Sequence, residues 1–177
     1  MRSKHLSGFT LIEVLVVVAL LGIVTALAAP GFASLVQNNR IQAAAGELQR
    51  ALYYARSEAM SRGVNVIVTT DPEDANGWTG ALKISTVNTV VLPTAEVLRQ
   101  YSGGLGTGVN GTGSVGGSPL TRLTFQPNGS VRIAADAILR VCATNALTPG
   151  KQFTLSLGGV LSVTDFVPTR ASAVGCG

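Results

Sequence analysis

An α+β fold is predicted, a long N-terminal helix followed by an antiparallel β-sheet head, and three observations predict it. Residues 14–29 carry no charge, while Arg2 and Lys4 stand before them. From residue 32 to 62 apolar side chains recur at helical spacing. Beyond Gly63 short apolar–polar alternations are separated by turn dipeptides.

The first helical stretch, residues 9–29, would be roughly 31 Å long, the hydrocarbon thickness of a bilayer. One carboxylate, Glu13, falls inside it. A charge near membrane depth costs about 3 kcal/mol or more, so it requires a partner, a function or an escape toward the surface. Gly22 is a weak point in this helix, and Pro30 removes a backbone hydrogen bond where the apolar run ends. The next stretch, 30–62, places Ile41, Ala45, Leu48, Leu52, Ala55 and Ala59 on one stripe, with Gln42, Glu47, Gln49, Arg50, Arg56 and Glu58 mainly off it. The first half of the helix therefore suits lipid, and the second suits packing of one face against a head. Tyr53 and Tyr54 flank the stripe and are expected to pack on the head. Gly63 is the expected stop.

Residues 63–177 read as β. Strands are expected at 64–69, 78–86, 87–92, 95–101, 120–125, 131–133, 138–143, 153–157 and 160–167. Pro127-Asn128-Gly129 and Gly158-Gly159 are hairpin signals. The stretch 102–119 holds eight glycines and reads as a flexible surface loop. It lacks the Gly-Lys-Ser/Thr of a phosphate-cradling loop.

Composition narrows the function. The 46% hydrophobic fraction is inflated by the first helix. Net charge is +4, and losing Arg2 and Lys4 would leave 4 − 2 = +2, a weak argument for nucleic acid. The only histidine is His5, Cys142 and Cys176 lack metal-site spacing, and Asp71, Glu73 and Asp74 fit a solvated turn better than a calcium site. No nucleophile–base pair is visible, so no enzyme, cofactor or metal is expected. In an exported domain the two cysteines default to a disulfide; in a reducing compartment they would be free thiols.

Three readings compete for the N-terminus. A secretory signal peptide would be cleaved near Ala26-Leu27-Ala28, leaving Ala29 first. A plain membrane anchor is the second. The third rests on Gly8-Phe9-Thr10-Leu11-Ile12-Glu13, which resembles the prepilin leader of type IV pilins and type II secretion pseudopilins, and this reading is favoured. The resemblance implies a leader over 1–8, cleavage between Gly8 and Phe9 by a prepilin peptidase, and N-methylation of Phe9. It also implies that Glu13 pairs with the Phe9 amine of a neighbouring subunit, each charge relieving the other's burial.

The pieces Leu52-Tyr53-Tyr54-Ala55-Arg56-Ser57-Glu58-Ala59, Arg62-Gly63, Gly77-Trp78, Leu123-Thr124-Phe125, Asn128-Gly129 and Cys142 narrow the likeness to minor pilins and pseudopilins of the GspH/FimT/FimU type. This resemblance implies a non-enzymatic subunit, anchored in the inner membrane with its head in the periplasm, that joins other minor and major pilins in a filament. A type II secretion pseudopilin of the H type is the alternative. A DNA-binding pilin of natural transformation is the second alternative and is not favoured: relatives with that activity carry a Gly-Arg-x-Arg motif where this chain has Gly158-Gly159-Val160-Leu161.

Overall fold

The computed structural model describes residues 10–70, 77–87, 94–102, 104–144, 148–168 and 176, with the side chains of 28–30 left aside. The chain divides into two units, Met1–Val36 and Gln37–Gly177. A single helix, α1 (Leu11–Arg62), runs from one into the other. Its apolar part is exposed along Leu11, Ile12, Val14 and onward to Leu27. Among the described residues no single helix is long and apolar enough to cross a membrane. Leu11–Leu27 and Gly31–Arg62, joined through a bend, reach that length and hydropathy together.

From Ile41 onward α1 is amphipathic in the expected way. Ile41, Ala45, Leu48, Leu52, Ala55 and Ala59 are buried, joined by Ala44 and Ala51. Five of those eight positions are alanine. Small side chains let β-sheets approach the helix axis closely, while Leu48 and Leu52 fill the space between. Gly63, with φ 65°, ends the helix as expected, because that conformation is disfavoured for other residues.

Two antiparallel sheets meet that stripe. The first contains β1 (Val66–Thr70), β2 (Leu82–Thr86), β3 (Val97–Tyr101) and β6 (Arg122–Phe125), in the order β3-β2-β1-β6. The second contains β4 (Val109–Val115), β5 (Ser118–Pro119), β7 (Ala137–Ala143), β8 (Gly150–Leu155) and β9 (Leu161–Phe166), in the order β5-β4-β7-β8-β9. Val66, Val68, Ile84, Leu123 and Phe125 from the first and Leu139, Val141, Phe153 and Leu155 from the second join the helix stripe in one core. The period-2 alternation puts these side chains on a single face of each sheet.

Several sequence expectations need correction. The glycine-rich stretch is no loose loop, because its middle is β4, paired with β7 over seven residues. A Cβ on Gly113 would lie 2.2 Å from Trp78 Nε1, and one on Gly111 would lie 2.6 Å from the Thr79 nitrogen. The glycines are there because the Trp78 segment lies against the backbone of the strand. Trp78 itself is buried outside any strand, and its Nε1–H donates to the Leu120 carbonyl at 2.6 Å. The strand expected at 78–86 therefore starts at Leu82. Asn128-Gly129 does turn, with Gly129 at φ 79°, but the return strand is a single Phe125–Val131 bridge. The strand expected over 87–92 lies largely outside the described residues. Cys142 and Cys176 form a disulfide with Cα atoms 5.7 Å apart, which brings residue 176 back onto β7.

This packing predicts opposite outcomes at two glycines. Gly113→Ala should cost on the order of 1–3 kcal/mol by overpacking Trp78. Gly46→Ala, a helix-interior site whose Cβ would meet only the tip of Arg50 at 3.9 Å, should stabilise by about 0.5–1 kcal/mol. Denaturant unfolding followed by the fluorescence of the single tryptophan measures both.

Candidate functional site

Two places concentrate groups that could act, one in each unit. The first is the start of α1. Thr10 precedes the first helical residue, and its Oγ1 accepts from the Glu13 N–H at 3.3 Å. The Thr10 carbonyl accepts from Glu13 and Val14 at 3.1 and 3.3 Å. Threonine followed three residues later by glutamate is the spacing of a capping box, and an acid in the first turn also faces the positive end of the helix dipole. Glu13 thus favours initiation of the helix at this point, whatever else it does. Its carboxylate is exposed and has no ion-pair partner among the described residues. Val14, Val17 and Val18 form a shallow apolar recess beside it.

Gly8 and Phe9 lie outside the described residues. Gly22 sits in the uninterrupted piece Leu11–Leu27, where its carbonyl and that of Leu21 both accept from Thr25 Oγ1. Pro30 falls in the bend between the two helical pieces.

The second place is the head surface around the end of α1. Arg56 lies just beside the buried stripe and reaches two turns at once. Its Nε donates to Gly129 O at 3.0 Å and its Nη2 to Gly158 O at 3.4 Å. The first turn follows β6 and the second joins β8 to β9, so one guanidinium ties the helix to both sheets. The turns touch: a Cβ on Gly159 would lie 2.0 Å from Gly129 O. Sequence reading placed Arg56 off the stripe and assigned it no role. The two glycine turns, Asn128-Gly129 and Gly158-Gly159, were the available signal.

On the other flank, the Arg99 guanidinium stacks over the rings of Tyr101 at 4.9 Å and Tyr54 at 5.7 Å. Tyr54 packs against the core as expected, whereas Tyr53 stays 45% exposed. Arg62 closes the helix with ion pairs to Glu58 and Glu96, and the hydrogen bond it donates to Glu58 raises its already high pKa.

Two of the basic residues of the head sheets, Arg140 and Lys151, are engaged, at the end of the β8–β9 hairpin away from its turn. Arg140 donates to Gln152 and to the Cys176 carbonyl and lies over the Phe166 ring. Lys151 pairs with Asp165. Arg122 and Arg132 are exposed and make no ion pair among the described residues, and Arg170 lies outside them. Gly159 and Leu161 stand where the arginines of a Gly-Arg-x-Arg motif would be, and Val160 between them is 64% exposed. Among the described residues no group of three or more His, Cys, Asp or Glu is placed to hold a metal. The arrangement offers surfaces and a lone N-terminal acid.

Comparison with known proteins agrees with that character. Residues 44–159 match the family model of the type II transport protein GspH, and residues 4–29 match the prokaryotic N-terminal methylation motif. No curated protein matches the chain. Among solved structures it is similar to the type IV minor pilin FimU of Pseudomonas aeruginosa in two crystal forms. One has TM-score 0.60 and 25% identity, covering 73% of this chain and 92% of that one. The other has TM-score 0.56 and 26% identity, covering 70% and 91%. The minor pseudopilin EpsH of the Vibrio cholerae type 2 secretion system shares the fold at TM-score 0.51 and 18% identity, covering 74% and 99%.

The tyrosine–arginine stack carries a prediction of its own. Burial raises the Tyr101 phenol, and its buried hydroxyl has no hydrogen-bond partner among the described residues. A raised folded-state value gives stability that is fully present below the unfolded pKa of about 10 and is lost as pH rises through the folded value. Tyr101→Phe should be neutral or slightly stabilising at pH 7, because no bond is lost. It should also blunt the loss of stability above about pH 10. Thermal melts of both proteins between pH 7 and 11 check this, and a loss above about 1 kcal/mol at pH 7 would reveal a partner for the hydroxyl.

Proposed function

We propose, on the premise that this chain belongs to the GspH family, that it is a minor type IV pilin. The carrying observation is the likeness to FimU at 25 and 26% identity over at least 70% of this chain. The family consists of pilin-type structural subunits that assemble with other pilins or pseudopilins, and this member carries their N-terminal methylation motif. The H-type pseudopilin of type II secretion remains the second reading, supported by the description of the matched family and by the shared fold of EpsH.

In this reading a prepilin peptidase cuts between Gly8 and Phe9, and Phe9 is methylated. The apolar piece of α1 holds the protein in the inner membrane, and the head lies in the periplasm until the subunit enters a filament. Glu13 then does two things in sequence. Its backbone and position start the helix through the Thr10 cap. Its free carboxylate, bare among valines in the isolated chain, meets the Phe9 amine of a neighbouring subunit. Neither charge is comfortable in an apolar phase alone, so pairing favours one axial register. Pro30 loosens the helix between the membrane part and the head-bearing part, and Gly22 is a second weak point within the membrane part. DNA binding is a weaker reading, since Arg56 and Arg140 are held by hydrogen bonds. Salt-dependent gel shifts with the full chain in detergent would test it.

Mass spectrometry of the mature protein from its host membranes is the direct test. The expected N-terminus is methylated Phe9; a first residue at Ala29 would mean a freely secreted domain. Glu13→Val should remain processed and membrane-held but fall out of the filament fraction. Incorporation at the parental level would refute the charge-pairing role.

A further inference from the structure

Four strands end the two sheets: β3 and β6 in one, β5 and β9 in the other. Exposed sheet edges invite strand addition, and proteins usually blunt them with shortness, proline, charge or bulges. Three of the four are blunted here. β5 is two residues long and ends in Pro119. β3 pairs through an irregular register at Ile84/Ser85 and carries Arg99. The outer side of β6 is bridged by Val131, and Arg132 N–H donates to Thr124 O.

β9 has only one of these devices, the charge of Asp165 near its end, and that charge is paired with Lys151 of β8. Its six residues pair with β8 in unbroken register and include no proline, lysine or arginine. Val163 is 39% exposed, and Val160 and Val167 flank the strand at 64 and 70%. Nothing pairs with its outer side among the described residues. The GspH match ends at Gly159, just before this strand, so the family likeness does not speak for it.

The backbone geometry selects a partner. Ser156 N–H donates to Val160 O at the turn, and antiparallel hydrogen-bonded pairs alternate along a strand. Ser162, Thr164 and Phe166 therefore turn their N–H and C=O groups toward β8. Those of Leu161, Val163 and Asp165 point outward. These three are evenly spaced about Val163, so the edge is self-complementary. A second β9 run antiparallel about a two-fold axis at Val163 would satisfy every outward group. It would set Val163 against Val163, Ser162 against Thr164, and the exposed Val160 against Phe166. Asp165 would face Leu161, so no like charges would oppose each other.

We infer that the β9 edge is an interface between two copies of this chain, joined isologously into one continuous ten-strand sheet. It does not depend on which filament the protein serves.

Size-exclusion chromatography with light scattering on the full chain in detergent micelles tests it. The wild type should run as a concentration-dependent dimer. Val163→Pro removes only an outward N–H, which an edge strand tolerates, so it should melt near the wild type while dimer dissociation rises at least about tenfold. Thr164→Pro, which removes a bond to β8, should unfold the hairpin instead. Val163→Lys keeps the N–H and sets two cations across the axis, so it should also give monomer. A wild type that stays monomeric, or Val163→Pro and Val163→Lys dimers as tight as the wild type, would overturn the inference. The second result would place any self-association elsewhere, on the apolar helix.

Discussion

The structure of the head depends on how closely two sheets can approach one helix. Ala44, Ala45, Ala51, Ala55 and Ala59 set that distance. A larger side chain at any of them would push a sheet outward and open gaps around Leu48 and Leu52. Truncating either leucine would leave a cavity, at about 2–5 kcal/mol each. Because the stripe serves both sheets, neither can adjust independently. The rest of the head follows from that tight fit, including the glycines of β4 that admit Trp78 and the touching turns at Gly129 and Gly159.

Close approach also creates a polar problem. Turns that touch bury Gly129 and Gly159, and a buried unpaired carbonyl is costly. Arg56 answers this from the helix by donating to the Gly129 carbonyl, and it also reaches that of the exposed Gly158. Arg140 acts similarly on the far side, holding the Cys176 carbonyl beside the disulfide. Two cations that composition alone would assign to solvent or to an anionic polymer are thus used inside the fold. A positive formal charge is therefore a poor guide to partners for this chain.

Much of this was legible in the sequence where the signal is periodic. The helix stripe from Ile41 to Ala59, the stop at Gly63 and the strands around Val66, Leu123 and Phe153 follow from spacing alone. The disulfide follows from two cysteines once the domain is read as exported. What could not be read is what depends on distant segments. The glycines of β4 look like a linker because their neighbour, Trp78, is some thirty residues earlier in the chain. Arg56 looks like a solvated helix residue because its acceptors lie 73 and 102 residues away. The bareness of β9 becomes visible only when the other three edges are seen to be protected.

The N-terminal part poses the opposite physical problem to the head. Its Leu, Ile and Val side chains are more than half exposed at nearly every position from Leu11 to Leu27, and no fold of this chain covers them among the described residues. Such a surface is stable only in lipid or against other apolar helices. One carboxylate interrupts it, at a position where the backbone cap already makes that residue useful. The cap explains why an acid is tolerated there, since it favours the helix start and the dipole favours its charge. It does not remove the cost of desolvating that charge once neighbours or lipid close around the recess of Val14, Val17 and Val18. A cation brought in by another chain would, and only in one axial register. On the function proposed above, the acid would turn non-directional apolar adhesion into association with a defined stagger.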